Sequence, residues 1–273
     1  MNIIKFLENV SNKQLLETKG SRRESLNQIK NVGKSFALAS IPFALAATSK
    51  KTKAATLSMS AAAEQASPIE VLQFALTLEY LERRFYEEGL DSGVIPTGDR
   101  DVFGLIYGHE QAHVNFLYNA LDATGDAFPE PSFDFTGGPA GLSLDTFSNY
   151  QTFLALSQGF EDTGVRAYKG QAGALIDNDV LLEYALQIHS VEARHASQVR
   201  RMRGEKGWIT FNNNTLPAAF SGIYAGEQNT VQGGVNLSGM FNEYGGDAAV
   251  TEAFDEPLTM AEVNAIASVF IES

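Results

Sequence analysis

Two short stretches decide the fold of this chain: His109-Glu110-Gln111-Ala112-His113 and Glu192-Ala193-Arg194-His195. Each contains a glutamate followed three residues later by a histidine, a spacing that puts both side chains on one face of a helix. A lone glutamate precedes each pair by 31 residues. The residues form two matching sets related by a constant offset of 82 positions: Glu79, Glu110 and His113 in the first, and Glu161, Glu192 and His195 in the second.

The repeat extends beyond these six residues, because the same offset carries Arg84 onto Arg166 and Tyr86 onto Tyr168. A single Glu-x-x-His is common by chance, and one buried glutamate can be half of an ion pair. Four carboxylates and two imidazoles in one helical core are costly to remove from water unless a counter-charge lies beside them. Two divalent metal ions would supply that charge. The repeat therefore predicts a two-metal site between two copies of a helical hairpin.

Apolar residues at helical spacing predict four long helices over residues 67–89, 99–124, 145–171 and 177–203. The first begins most clearly, with Ser67 as N-cap, Pro68 in the first turn and Glu70 completing a capping box. We expect Gly89 to end it. Connections of about ten residues join the first helix to the second and the third to the fourth, whereas a long Pro- and Gly-rich stretch, 125–145, links the two pairs. This predicts an all-α fold, a four-helix bundle of two antiparallel hairpins joined by a long crossover.

The bundle is expected to occupy residues 67–204, with different sequence on either side. Residues 1–55 read as a targeting segment and linker: Ser21-Arg22-Arg23 precedes an apolar run at 36–47 and the small-residue pattern Ala44-Leu45-Ala46. This resembles a twin-arginine signal and predicts export to the periplasm or cell envelope; the alternative is a basic amphipathic helix that stays attached. Residues 205–273 are expected to form an irregular extension with a short terminal helix.

Composition excludes several classes of site. The chain has no cysteine, so disulfides, thiolate ligands and iron–sulfur clusters are absent. Residues 1–53 contain ten Lys or Arg and three acidic residues, a net charge of +7. Because the whole chain carries −13, the remainder carries −20. Such an acidic body disfavours nucleic acid and anionic membrane surfaces and favours cations.

The ligand pattern resembles a known superfamily. One glutamate from each of two helices and a Glu-x-x-His from each of the other two form the ligand set of ferritin-like di-iron and di-manganese proteins. Leu78-Glu79-Tyr80-Leu81-Glu82, Phe85-Tyr86 and the two Glu-x-x-His stretches resemble exported bacterial ferritin-like domain proteins, a group similar to plant desiccation-related proteins. The resemblance covers residues 67–204, with a weaker match at 252–258. It implies that the six repeated residues are metal ligands, with Glu110 and Glu192 as the bridging carboxylates.

The resemblance also implies redox chemistry, in which two Fe or Mn ions give electrons to O2 or peroxide in a ferroxidase or peroxide-scavenging reaction. The sequence does not choose the metal, because carboxylate and imidazole sets suit both. One alternative is a manganese-catalase-like oxidoreductase that disproportionates peroxide. Another is a non-enzymatic metal-binding protein of envelope stress. His109-Glu110-x-x-His113 also matches the zinc-protease pattern, but that hypothesis gives no role to the second set.

Several residues near the predicted site keep open roles. Glu82 and Asp162 have no counterpart at the repeat offset, and we expect them to be solvated or to lie behind the ligands. Tyr86 and Tyr168 could be hydrogen-bond partners, one-electron relays or packing residues. His109 could be a core histidine, a support for a ligand or a spare ligand. The long segments flanking the bundle favour a monomer or dimer over a storage cage.

Overall fold

The computed structural model describes residues 66–212 and 215–272. The predicted targeting segment, residues 1–55, lies outside this range, and export stays a prediction. Across the described residues, none of the helices combines the length and apolar character that crossing a membrane requires.

Four long helices form the body of the fold, as predicted: α1 Pro68–Ser92, α2 Arg100–Asp122, α3 Tyr150–Gln171 and α4 Asp179–Met202. Helix α1 packs along α2, and α3 packs along α4. Short connections join the partners of each pair, so each pair is an antiparallel hairpin. The long connection from α2 to α3 contains a 3-10 turn, Gly138–Ala140. The all-α bundle is thereby confirmed.

The first helix begins as predicted but ends one turn later. The Ser67 hydroxyl accepts a hydrogen bond from the Glu70 amide at 3.3 Å, and Glu70 accepts one from the Ser67 amide at 2.7 Å. The prediction that Gly89 ends α1 was wrong, since the helix continues to Ser92 and Gly93 takes the left-handed conformation, with φ 79°. Gly89 is a packing glycine instead, because a Cβ there would overlap the ring of Phe153.

Helix α3 begins at Tyr150, five residues after the predicted start at Asp145. The Asn149 side chain caps it by accepting a hydrogen bond from the Gln151 amide at 3.0 Å. Asp145 lies in the preceding turn, where its carboxylate accepts from the Thr152 hydroxyl at 2.6 Å and from the Asn149 amide group at 2.9 Å. Because the Asn149 side chain takes the N-cap position, the helix starts at the residue after it.

Residues after 204 pack on the bundle. They contain the two-residue strands β1 Val231–Gln232 and β2 Val235–Asn236, which pair antiparallel, and the helices α5 Asp247–Thr251 and α6 Met260–Ala267. Just after α6, the Phe270 ring meets the Phe160 ring of α3 edge-on at 5.0 Å between centroids. A backbone bridge joins Ile271 to Phe133 in the crossover. The extension therefore closes one side of the core.

The repeated arginines do not share a role. Arg84 lies on the surface of α1, where its guanidinium pairs with Glu87 at 2.8 Å and Glu130 at 2.9 Å. Arg166 is fully buried and pairs with Glu227 of the extension at 2.8 Å. The partners of Arg84 hold its guanidinium at the surface, whereas Arg166 is held in the interior by the extension.

Candidate metal centre

The structure brings all six repeated residues together in the middle of the bundle. The lone glutamates lie on α1 and α3, and the Glu-x-x-His pairs lie on α2 and α4, so every long helix contributes. All six are buried: Glu79, Glu110, His113, Glu161, Glu192 and His195. Because i and i+3 share a helix face, each Glu-x-x-His presents its carboxylate and imidazole to the same interior space.

Within this cluster, two overlapping groups of four side chains could each hold a metal ion, since their ligand atoms lie within 4.8 Å of one another. The first group consists of Glu79, Glu110, His113 and Glu192. The second group consists of Glu110, Glu161, Glu192 and His195. Both groups contain Glu110 and Glu192, the two residues that the family resemblance names as bridging.

Each histidine directs Nδ1 at the carboxylates of its group. His113 Nδ1 lies 3.0 Å from one oxygen each of Glu79 and Glu110, and 3.3 Å from Glu192 Oε1. His195 Nδ1 lies 2.9 Å from Glu110 Oε1, 3.3 Å from Glu161 Oε2 and 4.0 Å from Glu192 Oε2. The two oxygens of Glu110 thus face different histidines, and so do the two oxygens of Glu192.

Several of these buried atoms have no hydrogen-bond partner among the described residues. They are Glu110 Oε1, Glu161 Oε2, both carboxylate oxygens of Glu192 and His195 Nδ1. A buried polar atom without a partner is costly. Five such atoms converging on one interior space are what a cation would satisfy, and oxygen and imidazole nitrogen are donors that suit divalent transition metals.

The electrostatics of the cluster favour a cation. Burial raises the pKa of Glu110 to about 7, and burial together with Glu110 and Glu79 holds the pKa of Glu192 well above its usual range. Burial lowers the pKa of His195, but the nearby Glu161 and Glu110 outweigh it and raise that pKa to about 11. Burial also works against the charged form of Glu79, yet hydrogen bonding and charge attraction from His113 leave its pKa lowered.

Two tyrosines cross between the hairpins. Tyr86 of α1 donates a hydrogen bond to Glu161 of α3 at 2.5 Å, and Tyr168 of α3 donates one to Glu79 of α1. Burial, followed by the adjacent carboxylate, raises the pKa of both phenols well above the usual range, so both remain donors. Sequence left the role of these tyrosines open, and the structure assigns them to orienting the two lone glutamates.

Of the two roles expected for Glu82 and Asp162, the solvated one is wrong, because both side chains are buried. Burial, then the charges of Glu192 and Glu161, hold the pKa of Glu82 well above its usual range, so a fifth carboxylate lies beside the four of the cluster. Asp162 faces another network, pairing with Arg200 at 2.5 Å and accepting from the Tyr224 hydroxyl at 2.6 Å. The sequence does not separate the two residues, because each lies on a ligand helix within three positions of Glu79 or Glu161.

His109 contacts a candidate ligand from behind. Its Nδ1 lies 2.9 Å from Nε2 of His195, and the two rings stack with centroids 5.2 Å apart. Among the described residues His109 belongs to neither group. The zinc-protease hypothesis requires His109 and His113 to face one ion, and the structure does not bring them together in this way.

The geometry agrees with the sequence comparison. A family model described as "Ferritin-like domain" matches residues 67–205, which include all four long helices and all six clustered residues. No curated protein matches the chain. The match extends over half of the chain, and it confirms the resemblance to the ferritin-like superfamily. By this match and by its fold, the chain belongs to the ferritin-like domain family.

Proposed function

We propose that the bundle binds two divalent transition-metal ions, Fe or Mn, and that the protein carries out redox chemistry on O2 or peroxide. The observation that supports this most directly is the overlap of the two groups through Glu110 and Glu192. Two shared carboxylates allow two ions to be held side by side while only six side chains are used. When bound, such ions would supply the electrons that reduce O2 or peroxide.

The residues of this chain would supply the surroundings that such chemistry needs. Glu79 and Glu161 would each bind one ion, in orientations fixed by the hydroxyls of Tyr168 and Tyr86. Groups that orient metal ligands in this way are worth about 10–100-fold in metal affinity. Tyr86, which bonds Glu161, packs against Phe103 and Phe153 with ring centroids 5.9 and 6.3 Å away. This packing would keep bulk water from the centre.

Metal content tests the proposal. We expect protein purified without added metal, or reconstituted with Fe(II) or Mn(II), to contain about two ions per chain by elemental analysis. The double variant Glu192→Ala/His195→Ala removes one shared carboxylate and one imidazole, so it should lose most of the metal. Glu183→Gln/His189→Val is the matched control, because both residues lie on α4 outside the two groups. Far-UV circular dichroism would establish that each variant is folded.

The outcomes separate the candidate functions. Two ions with O2 reduction or reductant-dependent peroxide consumption would support the proposed oxidoreductase. Peroxide consumed without a reductant by the Mn-loaded protein would indicate a manganese-catalase-like reaction. Tight binding with no turnover, and loss of stability on chelation, would indicate a metal-binding protein that is not an enzyme. Absence of metal after reconstitution would refute the di-metal proposal.

A further inference from the structure

The two halves of the centre are not copies of each other. At the offset of 82 residues the six candidate ligands match, but two residues beside them do not. His109 in the first hairpin corresponds to Val191 in the second, and Glu82 corresponds to Gly164. The two unmatched side chains, His109 and Glu82, both lie next to the second group of candidate ligands. The repeat therefore shows which features belong to one metal position only.

His109 acts on the outer nitrogen of His195. A histidine that binds an ion through Nδ1 carries its proton on Nε2, and that proton needs an acceptor. His109 Nδ1, 2.9 Å from His195 Nε2, is such an acceptor. When an ion is bound at Nδ1, this contact would hold the His195 ring in the orientation that directs Nδ1 at the ion. The valine at position 191 has no side-chain acceptor to offer in return.

His113 has a different arrangement. Its Nδ1 is hydrogen-bonded to Glu79 Oε2 and to Glu110 Oε2, both at 3.0 Å. An ion that enters the first group must break both hydrogen bonds. In the second group, His195 Nδ1 lies 2.9 Å from Glu110 Oε1 without forming a hydrogen bond, and Glu161 Oε2 and Glu192 Oε2 have no hydrogen-bond partner among the described residues either. The second group is already arranged for a cation.

Glu82 adds a carboxylate on the same side. Its Oε1 lies 3.3 Å from the point that a Cβ on Gly164 would occupy, and Glu192 Oε2 lies 3.4 Å from that point. The absence of a side chain at Gly164 is what gives both carboxylates their space. Glu82 is buried, and Glu192 Oε2 is the oxygen of Glu192 that faces His195 in the second group. Glu82 therefore places a further carboxylate beside the second group.

From these contacts we infer that the two positions are unequal: an ion binds first and more tightly in the second group, and His109 and Glu82 determine this order. His109 is a positioning residue, which acts through His195. Glu82 acts as a further carboxylate beside Glu192 Oε2. The inference rests on the proposed function, because it requires that the centre bind two ions.

Calorimetric titration of the metal-free full chain with Mn(II) tests the inference. Wild-type protein should bind in two steps whose affinities differ by about tenfold or more, by the usual effect of groups that support a metal ligand. Glu161→Gln alters only the second group and should abolish the tighter step. Glu79→Gln alters only the first group and should abolish the weaker step while the tighter one remains. These two variants assign each step to a position.

Two further variants test the determinants. His109→Val introduces the residue that the other hairpin already has, and it should weaken the tighter step by about 10–100-fold, so that the two steps merge. Glu82→Gln should weaken the same step and leave the other one nearly unchanged. His189→Val and Glu183→Gln are the controls, because they make the same two substitutions at residues of α4 that belong to neither group of candidate ligands. They should leave both binding steps unchanged. Thermal unfolding of the metal-free variants would show that each is folded.

The results distinguish failure of this inference from failure of the proposed function. Two equal steps in the wild-type protein, or tighter binding that survives Glu161→Gln, would overturn the inference and leave a two-metal centre in place. An unchanged tighter step in folded His109→Val and Glu82→Gln variants would do the same. Binding of no ion by the wild-type protein would overturn the proposed function, and the inference with it.

Discussion

Replacing Arg166 with methionine should destabilise the fold strongly, because the guanidinium joins α3 to the C-terminal extension. Its Nε lies 2.8 Å from Glu227 and donates to the Glu256 carbonyl at 2.7 Å. The terminal nitrogens donate to the carbonyls of Ile223 and Ala225. The variant would leave one buried carboxylate and three carbonyl oxygens without this donor.

The magnitude follows from the burial of the pair. Both side chains are 0% exposed, and removing one member of a buried ion pair costs about 3–5 kcal/mol. We expect about 3 kcal/mol, because the extension carbonyls can regain water. For a domain of this size, that loss lowers Tm by roughly 6–12 °C. Arg84→Met is the control supplied by the repeat: its side chain is 39% exposed, and such surface pairs contribute only about 0–1 kcal/mol.

Urea unfolding of metal-free protein, followed by circular dichroism, measures both variants. The double variant Arg166→Met/Glu227→Gln should regain part of the lost stability, because it no longer leaves a buried carboxylate unpaired. The reasoning would be refuted if Arg166→Met cost less than about 1 kcal/mol, the range of a surface pair. Equal losses in Arg166→Met and Arg84→Met would refute it as well.

Two further predictions concern packing and pH. Gly89→Ala should destabilise the protein by about 1–3 kcal/mol, because the new Cβ overlaps Phe153. Gly104→Ala is the control: it lies in open space on α2 and should stabilise the protein by about 0.5–1 kcal/mol. Thermal unfolding that gave the same sign for both variants would contradict this. Burial raises the pKa of Glu110 to about 7 and that of Glu192 well above its usual range. Protonation of these two carboxyls therefore stabilises the fold fully below their unfolded pKa of about 4.3, and this stabilisation is lost as pH rises through their pKa values in the folded protein. Metal-free protein should therefore become less stable to urea from about pH 5 to about pH 8, and saturating Mn(II) should offset the loss; a rise in metal-free stability over this window would count against the charge balance described above.

The repeat explains why so much of the centre was predictable. Glu110 and His113, like Glu192 and His195, are three residues apart, and helix geometry alone puts each pair on one face. The constant offset then shows that the two pairs occupy equivalent places in two hairpins. A local rule and a duplication together sufficed to predict which six residues the structure brings together.

Residues that depend on the helix partner were not predictable in this way. Gly89 resembles any helix-ending glycine until Phe153 is seen against it. Arg84 and Arg166 match at the repeat offset, yet one pairs at the surface and the other anchors the extension. Their partners lie far away in sequence, so no local pattern records the difference.

The sequence by itself determined the helical class of the fold, the pairing of the helices into two hairpins and the set of acidic and histidine residues at their centre, because these follow from residue spacing along single helices. Only the tertiary structure decided that Tyr86 and Tyr168 bind the glutamates of the opposite hairpin, and that His109 supports His195. It also decided that Glu82 is buried in the space left by Gly164. Each of these contacts joins residues from different helices, and the rotation of one helix against another is fixed by packing over the whole core.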